Sequence, residues 1–317
     1  MATFHIGADE NGLGSRLGPM IVTAVLAEVD GEPGERFLSR KLPKSIREDL
    51  DDSKRLMSHT DVGIGEAWAR VLTGNVARTP AELFERLSLE GTAKLREPCP
   101  KSAAAQCWAE QRETFCSTEE QRGRAERHLR AFAGRGVRIL DVQTSVVCTQ
   151  KLNQNRARGI NRFVSDLHAM EQLILKLRSR AGAPVHAVCG KVGGIGEYSK
   201  FFGPLSGWLH AKIVEGHAES AYQFPQLGQV RFVRDADARA PLVMLASLVG
   251  KYVRELFMQR IAAHYPGHDD PELPRPSGYH DPVTAAFVQR TALVRKQRRL
   301  PQTCFERDRD PPGAASA

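Results

Sequence analysis

The chain has 317 residues, of which 41% are hydrophobic and 26% are charged, and this composition excludes an intrinsically disordered protein. Its 45 basic and 37 acidic residues give a formal net charge of +8, which suits a phosphate-rich partner, although many metabolic enzymes are also basic. The six cysteines form no C-x-x-C pair, which argues against a zinc ribbon or a thioredoxin-type site.

The first nine residues lack the basic and apolar regions of a signal peptide, and no run of about 18 apolar residues follows. The sequence therefore predicts a cytoplasmic protein without a membrane partner.

The N-terminal segment predicts a hairpin. The residues T-F-H-I-G-A-D favour a strand, residues 11–19 have the glycine and proline content of a turn, and residues 20–29 are a nearly continuous apolar run. Two strands joined so closely are expected to pair antiparallel. This places the adjacent acids Asp9 and Glu10 at the end of a buried strand, beside a glycine-rich loop.

Further elements follow in chain order. Helical patterns occur at about 60–72, 80–89, 160–180 and 241–265, with another helix capped at Asp281, and strand patterns occur at 137–148, 184–189, 208–214 and 229–234. Residues 91–136 indicate loops and one exposed helix. We expect an α/β fold forming a single domain over 1–304, with a divergent helical and loop insertion at about 60–136 and a disordered tail at 305–317.

The acidic pair has two interpretations. Carboxylates at a strand end facing a loop are a common way to hold Mg²⁺ while a phosphate approaches. A solvated acidic pair that opens a turn has the same appearance in sequence.

Five segments together resemble the type II ribonucleases H, in the order in which that family has them. They are Asp9–Pro19 (D-E-N-G-L-G-S-R-L-G-P), Asp52–Leu56 (D-S-K-R-L), Asp237–Pro241 (D-A-R-A-P), Ala246–Glu255 (A-S-L-V-G-K-Y-V-R-E), and Tyr265–Gly267 followed by Gly278–Tyr279. Residues 60–180 match poorly. The sequences of the segments Lys191–Gly194 and Lys251–Glu255 are most similar to a diverged, uncharacterised bacterial branch of that family.

The resemblance implies a ribonuclease H-like mixed sheet of five strands, an antiparallel meander followed by parallel strands, flanked by helices. It implies a divalent-metal-dependent endonuclease that hydrolyses the RNA strand of RNA–DNA hybrids, leaving a 3′-hydroxyl and a 5′-phosphate. Two Mg²⁺ or Mn²⁺ ions would be bound by Asp9, Glu10 and Glu255, the last replacing an aspartate of the family, with Asp237 as a further carboxylate.

The resemblance also implies residues that contact the substrate. The turn Gly12, Leu13 and Gly14 corresponds to a family turn whose backbone approaches the ribose 2′-OH, although Leu13 lacks the family's cationic side chain. Tyr279 corresponds to a tyrosine that stacks on a sugar. Phosphate contacts are expected in the Ser53 and Lys54 segment and from the helix cations Lys251 and Arg254.

One departure from the family stands out. Gly190 occupies the strand end where the resemblance leads us to expect an aspartate, and Glu197 or Glu215 is then the candidate replacement. Without that ligand, a protein that binds hybrid without cutting it is the alternative. A third hypothesis makes residues 60–180 a docking segment for a protein partner, with nuclease activity incidental.

Overall fold

A computed structural model describes residues 2–108, 113–265 and 275–308. Its single sheet contains β1 (Ala2–Asn11), β2 (Met20–Asp30), β3 (Val137–Val147), β4 (Val185–Gly190), β5 (Ala211–Glu215), β6 (Glu219–Phe224) and β7 (Gly228–Val233). The strand order is β3-β2-β1-β4-β7-β6-β5. Neighbouring strands are antiparallel except for the parallel pairs β1–β4 and β4–β7.

The helices precede, separate and follow these strands. They are α1 (Gly31–Ser39), α2 (Lys44–Arg47), α3 (Ser53–Leu56), α4 (Gly63–Leu72), α5 (Pro80–Leu87), α6 (Thr92–Arg96), α7 (Lys101–Trp108), α8 (Glu119–Ala133), α9 (Thr149–Ala157), α10 (Arg162–Ala181), α11 (Pro241–Ala263), α12 (Pro282–Arg290), α13 (Ala292–Gln297) and α14 (Gln302–Phe305).

The predicted class, a mixed α/β sheet that begins as an antiparallel meander and continues with parallel strands, is confirmed. The predicted number of five strands is wrong. The hairpin of β5 and β6 pairs antiparallel with β7 and extends the sheet to seven strands. Strand β6 (E-S-A-Y-Q-F) is short and its alternation of polar and apolar residues is weak, so the sequence alone does not predict a strand there.

Helices cover both faces of the sheet. Helix α10 packs on the face that carries Ile6 and Ala8 of β1. Helix α11 packs on the opposite face, where Gly7 points, and is itself covered by helices from the segment expected to be an insertion. That segment supplies the buried side chains Trp68 and Phe84 to the core around α11. Helix α11 therefore lies in the middle layer of the fold, next to the end of β1.

Helix α11 comes close to β1 because glycine occupies the contact. A Cβ added at Gly7 would lie 2.4 Å from the backbone carbonyl carbon of Leu242. Farther along the helix, a Cβ at Gly250 would lie 2.2 Å from the Asn11 side-chain oxygen. This close approach brings the first half of α11 to the acidic end of β1.

The C-terminal segment expected to be disordered from residue 305 is ordered as far as residue 308. Phe305 and Arg307 are buried, and the backbone N–H of Arg307 donates to the Arg16 carbonyl at 3.0 Å. An aromatic cluster with Tyr265 and Phe287 fixes Phe305. Residues 309–317, and Pro266 and Gly267 of the family-like segment, lie outside the described residues.

No helix in the described ranges combines the length and the apolar character needed to cross a membrane.

We predict that Gly7→Ala lowers the free energy of unfolding by about 1–3 kcal/mol, because the new methyl group overlaps the α11 backbone, which cannot turn away as a side chain would. Urea unfolding followed by circular dichroism measures the change. The control is Gly123→Ala in α8, where the nearest atom to an added Cβ is a side-chain nitrogen at 3.5 Å. The control is expected to be neutral or slightly more stable. Equal midpoints for both variants would contradict the packing described here.

Candidate active site

Asp9 and Glu10 lie at the carboxyl end of β1 and point to opposite faces of the sheet, because side chains alternate along a strand. Asp9 shares the face of Gly7, and the Ser247 hydroxyl of α11 lies near enough to lower the pKa of Asp9 against the larger effect of burial. Glu10 shares the face of Ala8, on which α10 packs. The two adjacent acids therefore extend the site across the sheet end.

Strand β4 ends beside Asp9. Ala8 pairs with Cys189 in parallel register, so Asp9 and Gly190 follow side by side. A Cβ added at Gly190 would lie 2.7 Å from Asp9 Oδ1. The Asp9 carboxylate thus occupies the space beside the missing side chain at position 190.

Asp237 joins this pair from the 3-10 turn Ala236–Ala238, which leads into α11. Burial raises the pKa of Asp9 well above its ordinary value, and the charges of Glu10 and Asp237 raise it further. Burial is also the main cause of the raised pKa values of Glu10 and Asp237. Two of the expected acids, Glu10 and Asp237, therefore lie near enough to Asp9 for their charges to act on it.

The fourth expected acid, Glu255, does not join them. Its carboxylate accepts a hydrogen bond from Arg254, and the charges that act on it are those of Arg254 and Lys251. Positions 247, 250 and 254 of α11 face β1 and the glycine turn, whereas the Lys251 ammonium donates to the carbonyls of Ser53 in α3 and of Met57, which follows α3. Glu255 lines a cavity with His59, Glu66 and Arg275, and none of the other three expected acids lines that cavity.

A different acid was missed by the sequence reasoning. Asp166 of α10 is completely buried, and neither of its carboxylate oxygens has a hydrogen-bond partner. Burial, followed by the charges of Glu10 and Asp9, raises the pKa of Asp166 well above its ordinary value. A signal existed in the sequence, because Asp166 occupies the same helix stripe as the buried residues Met170, Leu173 and Leu177.

The glycine turn that follows the acids is held from two sides. Gly12 has a φ of +89°, a conformation that favours glycine, and the Leu13 N–H donates to Glu10 Oε2 at 2.9 Å. The buried Arg307 guanidinium donates to the carbonyls of Gly12, Leu13 and Gly18 at 2.6–3.2 Å. Gly14 is exposed and has no atom within 4 Å of an added Cβ. The turn is therefore fixed at its base and open at Gly14.

Arg254, expected to contact phosphate, is buried. Its guanidinium donates to the Ser15 hydroxyl at 3.1 Å and to the Ser277 carbonyl at 2.8 Å, and it lies 4.6 Å from the centre of the Tyr279 ring. Tyr279 is 44% exposed. Arg254 thus supports the turn and the tyrosine from inside the protein, which leaves the ring accessible beside the turn.

Two other expected substrate contacts are also internal. Ser53 is buried, with its hydroxyl oxygen 3.0 Å from that of Ser247, and the Lys251 ammonium is bound to two backbone carbonyls of the α3 segment. Lys54 differs, because it is exposed and its charge acts on Glu10 and Asp237. Lys54 is therefore placed to meet a phosphate that approaches the acids.

The expected replacements for an acid at position 190 are engaged elsewhere. Glu197 pairs with Lys200 at 2.9 Å, and Glu215 pairs with Lys212 at 2.9 Å and accepts a hydrogen bond from the Tyr222 hydroxyl. Each is bound to cations or donors of its own, so neither compensates for Gly190 in this structure.

The oxygen ligands fit a hard divalent cation in type but do not form a complete cage. Across residues 2–108, 113–265 and 275–308, no group of three or more histidine, cysteine, aspartate or glutamate side chains is arranged to hold one metal ion. Mg²⁺ sites in phosphate chemistry commonly use one or two carboxylates, water and substrate phosphate. The two unpartnered oxygens of Asp166 and the crowded, buried Asp9 match that kind of site.

A basic cavity of about 390 Å³ adjoins the glycine turn. Its lining includes Ser15, Arg156, Arg162, His280 and Arg307. The sequence reasoning missed this cavity, because the arginines come from α9, α10 and the C-terminal segment and form no basic run. A cavity of this charge beside the turn suits an anion.

No protein-family description and no curated protein matches the chain. Among solved structures it is similar to Bst-RNase HIII in complex with Mn²⁺, at 13% identity and a TM-score of 0.45, over 96% of this chain and 66% of that one. It is also similar to the RNase HII of Archaeoglobus fulgidus in a PCNA complex (16%, TM-score 0.41, over 97% and 95%) and to ribonuclease H2 from Pyrococcus horikoshii OT3 (14%, TM-score 0.40, over 96% and 92%). The chain spans about two thirds of the length of the RNase HIII chain. Similarity at this level leaves function to be argued from the motif residues and the site.

We predict that Arg307→Leu lowers the free energy of unfolding by about 1–3 kcal/mol, because it leaves the carbonyls of the glycine turn without their buried donor. Chemical denaturation provides the measurement. The matched control is Lys296→Leu, a cation on an exposed surface, for which a change within about 0.5 kcal/mol is expected. If Arg307→Leu behaves like the control, the C-terminal segment does not hold the turn.

Proposed function

We propose that this protein is a divalent-metal-dependent endonuclease of the ribonuclease H type that hydrolyses the RNA strand of RNA–DNA hybrids. The observation that carries the proposal is the buried Asp9, on which the charges of Glu10 and Asp237 act, beside a fixed glycine turn. These acids come from two of the family-like segments, more than 220 positions apart in the chain. We assign the chain to a diverged bacterial branch of that family and expect it to act in the cytoplasm.

The acids would bind Mg²⁺ or Mn²⁺, which would activate the attacking water and stabilise the leaving 3′ oxygen. In the present arrangement, burial raises the pKa values of Asp9 and Glu10, and the charge of Glu10 raises that of Asp9 further, so a divalent cation is the charge that this cluster lacks. Lys54 would hold a neighbouring phosphate by its charge. Glu255 remains a proposed ligand only if the Arg254 contact is released.

Recognition of RNA would come from the backbone of the glycine turn. The exposed Gly14 leaves room for a ribose, and Leu13 carries no charge, so sugar contacts would be made by peptide groups. The exposed Tyr279 ring lies on the same side as the turn, where Arg16 and Leu17 donate backbone hydrogen bonds to Gly278. The basic cavity beside Ser15 would accept a backbone phosphate of the hybrid.

One observation favours a second candidate function. Gly190 contributes no ligand at the end of β4, and the described acids form no group of three around one position. Both observations agree with a protein that binds the hybrid through its basic surface without cutting it. The two candidates differ in a single measurable step, which is strand cleavage.

Asp9→Asn tests the proposal. We expect full-length wild-type protein to cleave the RNA strand of a labelled hybrid in Mn²⁺ or Mg²⁺, and the substitution to reduce the rate by about 100-fold or more, because it removes a charged ligand. Binding of the same hybrid is measured in parallel at several salt concentrations.

The matched control is Asp30→Asn, an exposed acid at the far end of the same hairpin, paired with Ala2. It is expected to cleave at the wild-type rate. Cleavage that survives Asp9→Asn would refute the assignment of this site. Salt-sensitive hybrid binding with no cleavage by the wild type would favour the second candidate.

A further inference from the structure

Asp166 is exceptional among the buried acids of the described chain. Buried Glu66 accepts hydrogen bonds from the Cys116 and Ser117 backbone, and Glu171 accepts at one oxygen from Gly203 and Leu205. Asp49 is paired with an arginine and a histidine. Asp166 has no such donor at either oxygen. Fully burying a carboxyl group without a partner costs stability, so the fold derives no benefit from this side chain as it stands.

Asp166 lies near two other acids and near Cys189 at the end of β4. The charges that act on it are those of Glu10 and Asp9. Its helix neighbours Leu167 and Met170 belong to the same buried cluster as Ala8 and Cys189, the residues that precede Asp9 and Gly190 in their strands. Helix α10 therefore holds the Asp166 carboxylate against the ends of β1 and β4, where the other acids stand.

We propose that Asp166 is a ligand of the divalent cation, and that it supplies from helix α10 the carboxylate that the end of strand β4 lacks at Gly190. The inference rests on the proposed function, and it identifies a ligand that the family-like segments do not contain. Asp166 then joins Glu10 on the α10 side of the sheet, and a pair of carboxylates is the number that Mg²⁺ sites commonly use together with water and phosphate.

This arrangement explains two features together. Asp9 Oδ1 occupies the space beside Gly190, so an acid at that strand end would have to displace it. An acid that reaches the site from the helix on the other face avoids that contact. The unpartnered oxygens of Asp166 are then lone pairs held in place for a cation, at a cost in metal-free stability.

The test uses the full chain and Mn²⁺ alone as the probe. Mn²⁺ affinity is measured by isothermal titration calorimetry for the wild type, Asp166→Asn and Glu171→Gln, the last a buried acid on the same helix that accepts backbone hydrogen bonds. We expect Asp166→Asn to weaken Mn²⁺ binding by about tenfold or more, and Glu171→Gln to leave it within about twofold.

Thermal unfolding separates a ligand from a structural residue. In EDTA, Asp166→Asn is expected to melt at or above the wild-type temperature, because it removes a buried carboxyl group that has no hydrogen-bond partner, whereas in Mn²⁺ it is expected to lose the stabilisation that the wild type gains. Asp166→Ala is the second variant, and the same loss of Mn²⁺ stabilisation is expected for it.

Wild-type Mn²⁺ affinity in Asp166→Asn or Asp166→Ala would overturn the assignment. If Asp9→Asn abolishes Mn²⁺ binding and cleavage while the Asp166 variants retain both, this inference fails and the proposed function stands. If the wild type neither binds Mn²⁺ nor cleaves hybrid, both fail.

Discussion

Mutual repulsion among buried carboxylates is the constraint on which the site depends. Asp9, Glu10 and Asp166 are brought out of water at one end of the sheet. Burial raises the pKa of all three, the charge of Glu10 raises the pKa of Asp9 further, and the charges of Glu10 and Asp9 raise that of Asp166. Helix packing imposes this crowding. Because an added Cβ at Gly7 would overlap Leu242, the close contact of α11 with β1 exists only with glycine there, and that contact places Ser247 beside Asp9. The acids are held together by the two helix layers and not by their own interactions.

Of the three cations whose charges act on Glu10, two are buried and hold the neighbouring backbone, and one is exposed to solvent. Arg307, Lys54 and Arg254 all act on Glu10. The two arginines are buried and bound to the glycine turn or to the loop that carries Tyr279, so they fix the shape of the rim. Lys54 is the exposed member of the three. Burial also lowers the pKa of Arg307 to about 9, which shows how far this cation has been withdrawn from solvent to hold the turn.

Much of the framework could be predicted from the sequence, because its signals are local. The hairpin follows from two apolar runs around a glycine-rich turn, and the start of α5 follows from Thr79, whose side chain caps Glu82 N–H, before a proline. Strand β6 and the ordered C-terminal segment escaped prediction. Their identity depends on pairing with β7 and on the burial of Phe305 against Tyr265, contacts between distant parts of the chain.

The sequence by itself determined the class of fold and the acids Asp9, Glu10 and Asp237 as candidates, since strand ends, turns and family-like segments are properties of short stretches. Only the tertiary structure decided which helix positions reach those acids. The roll of a helix about its axis is set by packing against the sheet, and a rotation of about 100° per residue separates a side chain that faces the site from one that does not. That roll turns Glu255 into a cavity lined by His59, Glu66 and Arg275, and the packing of α10 directs Asp166, a residue outside every family-like segment, towards the acidic end of the sheet.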